Sequence, residues 1–221
     1  MTEAESEGAG ANPPEPGNRK GRDLAGTIAT IFHAARLEFR EKGFEGAKME
    51  HIARRAKVSK QLVYLYFSSK QELYEELVKA IGRDSFSVLM PIDYEGQDPV
   101  SGIRAYVEAV YDYFRDNPEA CAVTLDESLH AGIHLRIPKD VREMQVALRD
   151  RIGNVLERGQ RAGIFSDRFD ATALEFMTMT VVTGAISSRH MFEEYIGHPL
   201  GQDSDQMRTL AIEFLLAGLR A

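Results

Sequence analysis

Between Ser59 and Lys70 the chain reads "SKQLVYLYFSSK", which sets two ammonium groups, three serine hydroxyls, two phenols and one carboxamide within twelve residues. Ammoniums and hydroxyls hold phosphate oxygens, and a carboxamide can make a paired hydrogen bond to the edge of adenine. A second set, Asp126, His130 and His134, is spaced by four, so one helical face could present three metal ligands. Gly132 falls inside that turn, and no glutamate follows His130 to make His-Glu-x-x-His. Capping or solvated histidines are the preferred reading, and no metal is assigned. No Ser/His/Asp spacing, phosphate loop or cofactor fingerprint occurs elsewhere. The chain is therefore read as a non-enzyme without a cofactor. A helical metal-dependent enzyme using the Asp126/His130/His134 face is the remote alternative.

Composition narrows the class. The 221 residues suffice for one large or two small domains, and 43% hydrophobic content supports a proper core. No run of 18 apolar residues occurs and the acidic N-terminus lacks a basic, then apolar, leader, which predicts a soluble cytoplasmic protein without a membrane partner. The lone Cys121 excludes an intramolecular disulfide. The net charge of -7 is unevenly spread: residues 19–82 carry 13 Lys/Arg against 8 Asp/Glu, so a basic module sits on an acidic body.

The elements that must position the first set read as helices. Residues 1–18 lack large apolar side chains and are expected to be a disordered acidic tail. Ile28, Ile31, Phe32, Ala35, Leu37 and Phe39 form a helical stripe over about 24–42, ended by Lys42-Gly43. Short helices fit Lys48–Ala56 and Lys60–Phe67, the second capped by Ser59. A fourth starts at a Ser69-x-x-Glu72 capping box and is expected to stop near Gly82. Five long amphipathic stretches follow, at about 99–116, 119–132, 138–162, 169–193 and 204–220, with Pro or Gly at several junctions and no strand alternation. The chain is predicted to be all-α.

Two short helices joined by a tight turn, the second opening with Ser-Lys, form a helix-turn-helix. On a helical wheel Val63 and Phe67 share an inward face with Tyr66 at its edge, while Gln61, Tyr64 and Leu65 point away. The strand-like composition of "QLVYLYF" thus divides into a packing side and a reading side.

The stretch "GFEGAKMEHIARRAKVSKQLVYLYFSSKQELYEELV", Gly43 to Val78, resembles the DNA-binding module of the tetracycline-repressor (TetR) family. The matching residues are Gly43, Phe44, Met49, Ile52, Ala53, Ala56, Val58, Ser59, Val63, Tyr64, Tyr66, Phe67, Lys70 and Leu73. The likeness covers about a quarter of the chain. It implies a three-helix DNA-binding module at 19–82 and a larger helical ligand-binding and dimerisation domain at 83–221. It also implies that Lys48, Ser59, Lys60, Tyr64, Tyr66 and Lys70 touch phosphates or groove walls. On chemical grounds Gln61 is the candidate for adenine and Leu62 or Leu65 for a thymine methyl.

Three departures from the family pattern stand out. Lys57 replaces the usual turn glycine, at a cost of about 1 kcal/mol or more in the left-handed region, and gains a potential phosphate contact. Ala47-Lys48 replaces a threonine pair, so the second helix lacks a side-chain cap. Gln61 replaces a frequent glycine, which implies a different sequence preference. The implied function is a dimeric regulator of transcription, a repressor released from a palindromic operator by a small ligand, with an activator or protein-partnered regulator as the alternative. Tyr106, Tyr113, Phe114, His130, Phe176 and Met177 are candidates to line the ligand pocket. "FMTMTVVTGAISSRH" is apolar or small nearly all round, so a homodimer interface is expected to use Thr180, Thr183, Gly184 and Ser187. Ile152, Val155 and Leu156 on the preceding helix are expected to share it.

Overall fold

The computed structural model describes residues 16–134, 136–197 and 204–221. Helices run in the order α1 Pro16–Gly46, α2 Met49–Arg55, α3 Lys60–Tyr66, α4 Lys70–Leu89, α5 Pro99–Asp116, α6 Pro118–Leu129, α7 Lys139–Arg161, α8 Ala171–Ile196 and α9 Ser204–Leu219. Among the described residues the one extended pairing is an isolated bridge between Phe165 and Arg220. Of the tail expected at 1–18, residues 1–15 lie outside the described residues, and the last three open α1.

Local chemistry explains the boundaries. Asp98 accepts hydrogen bonds from the Val100 and Ser101 amides, and Pro99 takes the first helical position of α5, where its missing N–H is no loss. Pro118 likewise sits at the start of α6, although Asn117 before it makes no side-chain cap bond. Asp170 caps α8 through the Ala173 amide, and Gly197 ends it in the left-handed conformation. Gly43, at φ 63 and ψ 179, breaks the regular part of α1 where the sequence places a stop. One further turn, through Phe44 to Gly46, follows that kink.

Gly82 departs from expectation. It is no stop: α4 continues through it to Leu89. A Cβ there would lie 3.1 Å from Val141 Cγ1, so the glycine lets α7 approach the helix closely. The division proposed at 82/83 therefore falls inside a continuous helix that belongs to both halves of the molecule.

The buried residues form one cluster. At the N-terminal end Phe39, Phe44 and Tyr74 meet edge-on or stacked, and His134 lies against Phe44 at 4.1 Å between ring centres. Further along, α5 is the central element: Ile103, Val107 and Val110 are buried among α7, α8 and α9. The loop after α4 is fastened by two arginines of α7. Arg151 donates to the carbonyls of Met90 and Ile92 at 2.7 and 2.6 Å, and Arg158 to those of Glu95 and Gln97, both at 2.7 Å. Charge-assisted bonds of this kind are roughly twice as strong as neutral ones, so they fix the far end of α4.

No helix among the described residues is long and apolar enough to cross a membrane.

Candidate nucleic-acid interface and ligand cavity

The turn between α2 and α3 is closed by backbone bonds from the Ala56, Lys57 and Val58 amides to the carbonyls of Ile52, Arg54 and Ala53. This closure demands a left-handed residue, and Lys57 adopts φ 56 there. Replacing Lys57 with glycine removes about 1–2 kcal/mol of steric cost and returns about 0.4–1 kcal/mol of unfolded-state entropy. Lys57→Gly is expected to stabilise the protein by about 0.5–1 kcal/mol in urea unfolding. A loss of stability would mean that the lysine side chain holds the turn. The N-cap of α2, Lys48, makes no side-chain cap bond, whereas Ser59 caps α3 by accepting from the Leu62 amide at 3.1 Å.

That turn orients α3. Val63 is fully buried and Phe67 nearly so, with the Phe67 ring 5.5 Å from that of Phe32. Tyr66 is half-buried against the same core. On the other side Gln61 is exposed, Tyr64 is 41% exposed and Leu65 76%. Lys60, Gln61, Tyr64 and Leu65 together line one open hollow on the outer surface of α3. Leu62 is half-exposed beside them. Tyr64 and Leu65 thus leave apolar surface on the outward face of α3, beside the polar Lys60 and Gln61.

Sequence reading missed how the cations are held. The Lys60 ammonium pairs with Glu50 of α2 and lies 5.6 Å from the centre of the Tyr64 ring. Its hydrogen bond to Glu50 keeps the lysine pKa raised and holds the Glu50 carboxyl below its usual range. Lys70 donates to the Phe44 and Glu45 carbonyls at 2.7 and 3.2 Å and sits over the Phe44 ring at 4.4 Å. It therefore caps the end of α1, and one N–H remains for other partners. Lys48 and Lys57 are exposed. The capping box at α4 is shifted by one residue: Ser69 Oγ accepts from the Glu72 amide, but Glu72 accepts from the amide and hydroxyl of Ser68.

A cavity of about 270 Å³ opens between α4, α5, α6, α7 and α8. Tyr106, Tyr113 and Phe114 line it, as do Phe86, Gln145, Glu175 and Met179, which sequence patterns did not single out. Each of these alone reads as an ordinary core or surface position. Their convergence from several helices leaves no signal in linear spacing. The other three candidates lie elsewhere. Phe176 faces outward, Met177 borders a separate apolar hollow between α8 and α9, and the His130 ring caps α6 at the Asp126 carbonyl, 2.7 Å away.

The Asp126/His130/His134 arrangement does not form a common face. α6 ends at Leu129, and positive φ at Ala131 and Gly132 turns the chain back. His134 is thereby buried with Nδ1 2.9 Å from Glu127, while Asp126 accepts from the Phe44 amide at 3.1 Å and the Tyr74 hydroxyl at 3.3 Å. These side chains tie α6 to α1 and α4.

The expected interface residues divide as well. Ile152, Val155 and Leu156 are in the core of the subunit and present no surface to a second copy. Thr183 is buried, with its hydroxyl on the Met179 carbonyl. Thr180 and Ser187 are exposed on α8. Gly184 lies between them, and a Cβ there would meet nothing within 4 Å.

The profile of "Bacterial regulatory proteins, tetR family" matches residues 31–77, and that of "Tetracyclin repressor-like, C-terminal domain" matches residues 99–214. The chain belongs to the TetR family. This TetR-family chain is 27% identical over 196 residues to the HTH-type transcriptional repressor NicS of Pseudomonas putida, covering 88% of this chain and 92% of that one. It is also 27% identical over 176 residues to the HTH-type transcriptional repressor SCO4008 of Streptomyces coelicolor, at 80% and 86% coverage. The fold is shared with the ketosteroid transcriptional regulator KstR2 of Mycobacterium tuberculosis: TM-score 0.65, 17% identity, 88% of this chain and 95% of that one. The TetR-family protein is a DNA-binding transcriptional regulator with an N-terminal helix-turn-helix and a helical C-terminal domain.

Proposed function

We propose that two copies pair through α8 and α9, lay their α3 helices in successive major grooves of a palindromic operator, and repress until a small ligand enters the cavity. The single observation that carries the DNA-reading part is the division of α3, with Val63 and Phe67 inside and Gln61, Tyr64 and Leu65 outside. Gln61 is placed to read adenine, Leu65 or Leu62 a thymine methyl, and Ser59, Tyr64, Tyr66, Lys48, Lys57, Lys60 and Lys70 to meet backbone or groove walls. Lys60 must exchange Glu50 for a phosphate in doing so. The repressor reading draws on NicS and SCO4008, both of which bear that name.

Support for pairing comes from exposed stripes of apolar and small residues. Phe176, Thr180, Gly184, Ser187 and Met191 share one face of α8, and Leu210 and Phe214 share one of α9. Intrasubunit packing does not require the glycine at 184, and close approach of a second copy would use it. α4 connects the cavity to the reading helices. It carries Val78, Ile81 and Gly82 on the cavity wall, Tyr74 at the α1–α6 junction and Lys70 at the end of α1. A ligand that prefers one position of α4 shifts the spacing of the two α3 helices away from the ~34 Å that successive half-sites demand.

The test is footprinting on DNA flanking the protein's own gene, with Gln61→Ala and Tyr64→Phe alongside. A palindromic footprint with a steep negative salt slope is expected, and Gln61→Ala should cost about 1–3 kcal/mol of operator binding with melting temperature unchanged. A Gln61→Ala variant that keeps the wild-type affinity and the wild-type discrimination at every A·T position would remove Gln61 from the reading set. A reporter assay separates repression from activation.

A further inference from the structure

The formal charge on the cavity wall is of one sign. Glu175 of α8 is its only charged lining residue among the described residues, and no lysine, arginine or histidine lines it. The carboxylate forms no ion pair among the described residues. Its sole hydrogen bond among the described residues is from Gln145 Nε2 at 3.4 Å, which is long. Arg149 on α7 eases its ionisation through space without touching it, yet burial still drives the Glu175 pKa above the ordinary carboxylate value. Beside it Tyr106 is buried and its hydroxyl has no hydrogen-bond partner among the described residues. Ser85, Thr124, Gln145 and Tyr113 add neutral polar groups, and the remainder of the wall is apolar or aromatic, including Phe86, Phe114 and Met179.

Glu175 is half-buried, and a partly desolvated carboxylate without an ion-pair partner carries a cost that is offset when a cation with N–H donors arrives. Aromatic faces nearby add cation–π attraction. A ligand carboxylate or phosphate would meet Glu175 with no cation on the cavity wall to offset it. The volume, about 270 Å³, lies just under the ~300–1,000 Å³ range of pockets for drug-sized molecules, so the guest is small.

We propose that the effector is a small amphipathic amine, whose ammonium pairs with Glu175 and meets the Tyr106 hydroxyl while its apolar body lies against Phe86, Phe114 and Met179. This rests on the reading of the cavity as the effector site.

The experiment is a charge series on one body, 4-phenylbutylamine, 4-phenylbutanol and 4-phenylbutyrate, titrated calorimetrically into the full-length protein and a Glu175→Gln variant checked by circular dichroism. In the wild type the amine is expected to bind about tenfold or more tighter than the alcohol, as suits a charge-assisted hydrogen bond, with the butyrate weakest. In Glu175→Gln the amine's advantage is expected to vanish while the alcohol binds as before. Amine and alcohol binding equally in the wild type, tighter butyrate binding, or an amine preference that survives Glu175→Gln would each overturn the amine assignment and leave the cavity as the effector site. If none of the three binds, the effector-site reading itself falls. The wild-type series decides the ligand class even if the variant fails to fold.

Discussion

Phe214→Asp is expected to leave the subunit folded and to cost the regulator its operator. The ring is 66% exposed, so its removal opens no internal cavity. In a pair built on α8 and α9 the same position is buried against the partner, and an aspartate there would place an uncompensated carboxylate in an apolar seam. If each α3 reads one half-site, as proposed, a monomer loses the effective concentration that joins the two binding events. Operator affinity is expected to fall by about two to four orders of magnitude. Light scattering should report a monomer with an unchanged circular dichroism spectrum, and a gel-shift titration should report the affinity. A variant that stays dimeric and keeps full operator affinity would place the interface elsewhere.

Phe67→Ala is expected to act in the opposite way, on stability first. Phe67 is 5% exposed, follows the last turn of α3 and packs on Phe32 of α1. Truncating a buried phenylalanine costs about 3–5 kcal/mol through lost transfer energy and the residual cavity, which in a chain of this size lowers the melting temperature by roughly 6–20 °C. Tyr64→Phe, three residues earlier and outward-facing, should weaken DNA binding at an unchanged melting temperature. If the two effects exchanged places, α3 would be turned the wrong way round.

Much of the architecture could be read in advance because its punctuation is local. Asp98-Pro99, Pro118, Ser59 and Ser69 announce helix starts by chemistry that involves only their immediate neighbours. The inward and outward sides of α3 followed from spacing alone, since Val63 and Phe67 are four apart. What could not be read depended on which neighbour occupies a given side. Gly82 looks like a terminator until Val141 is seen against it. Ile152, Val155 and Leu156 form an apolar stripe that suits an internal core as well as a partner, and α5 and α8 claim it. Phe176 and Met177 are adjacent in the chain but diverge around the helix, one toward solvent and one toward α9. Glu175 reads as an ordinary surface acid on α8, and only the closure of several helices around it turns it into a cavity group.

The fastening of the loop after α4 by Arg151 and Arg158 has a mechanical consequence. With the Met90 carbonyl held, α4 becomes a lever whose fulcrum is its C-terminal end. At 1.5 Å per residue, the cavity wall at Ile81 is about 12 Å from that fulcrum, and Lys70, where α4 meets the end of α1, is about 28 Å from it. Under the proposed mechanism, a displacement imposed by a guest at Ile81 would be magnified a little more than twofold at Lys70, so that a subångström adjustment at the cavity would become a misalignment on the scale of a hydrogen bond at the groove.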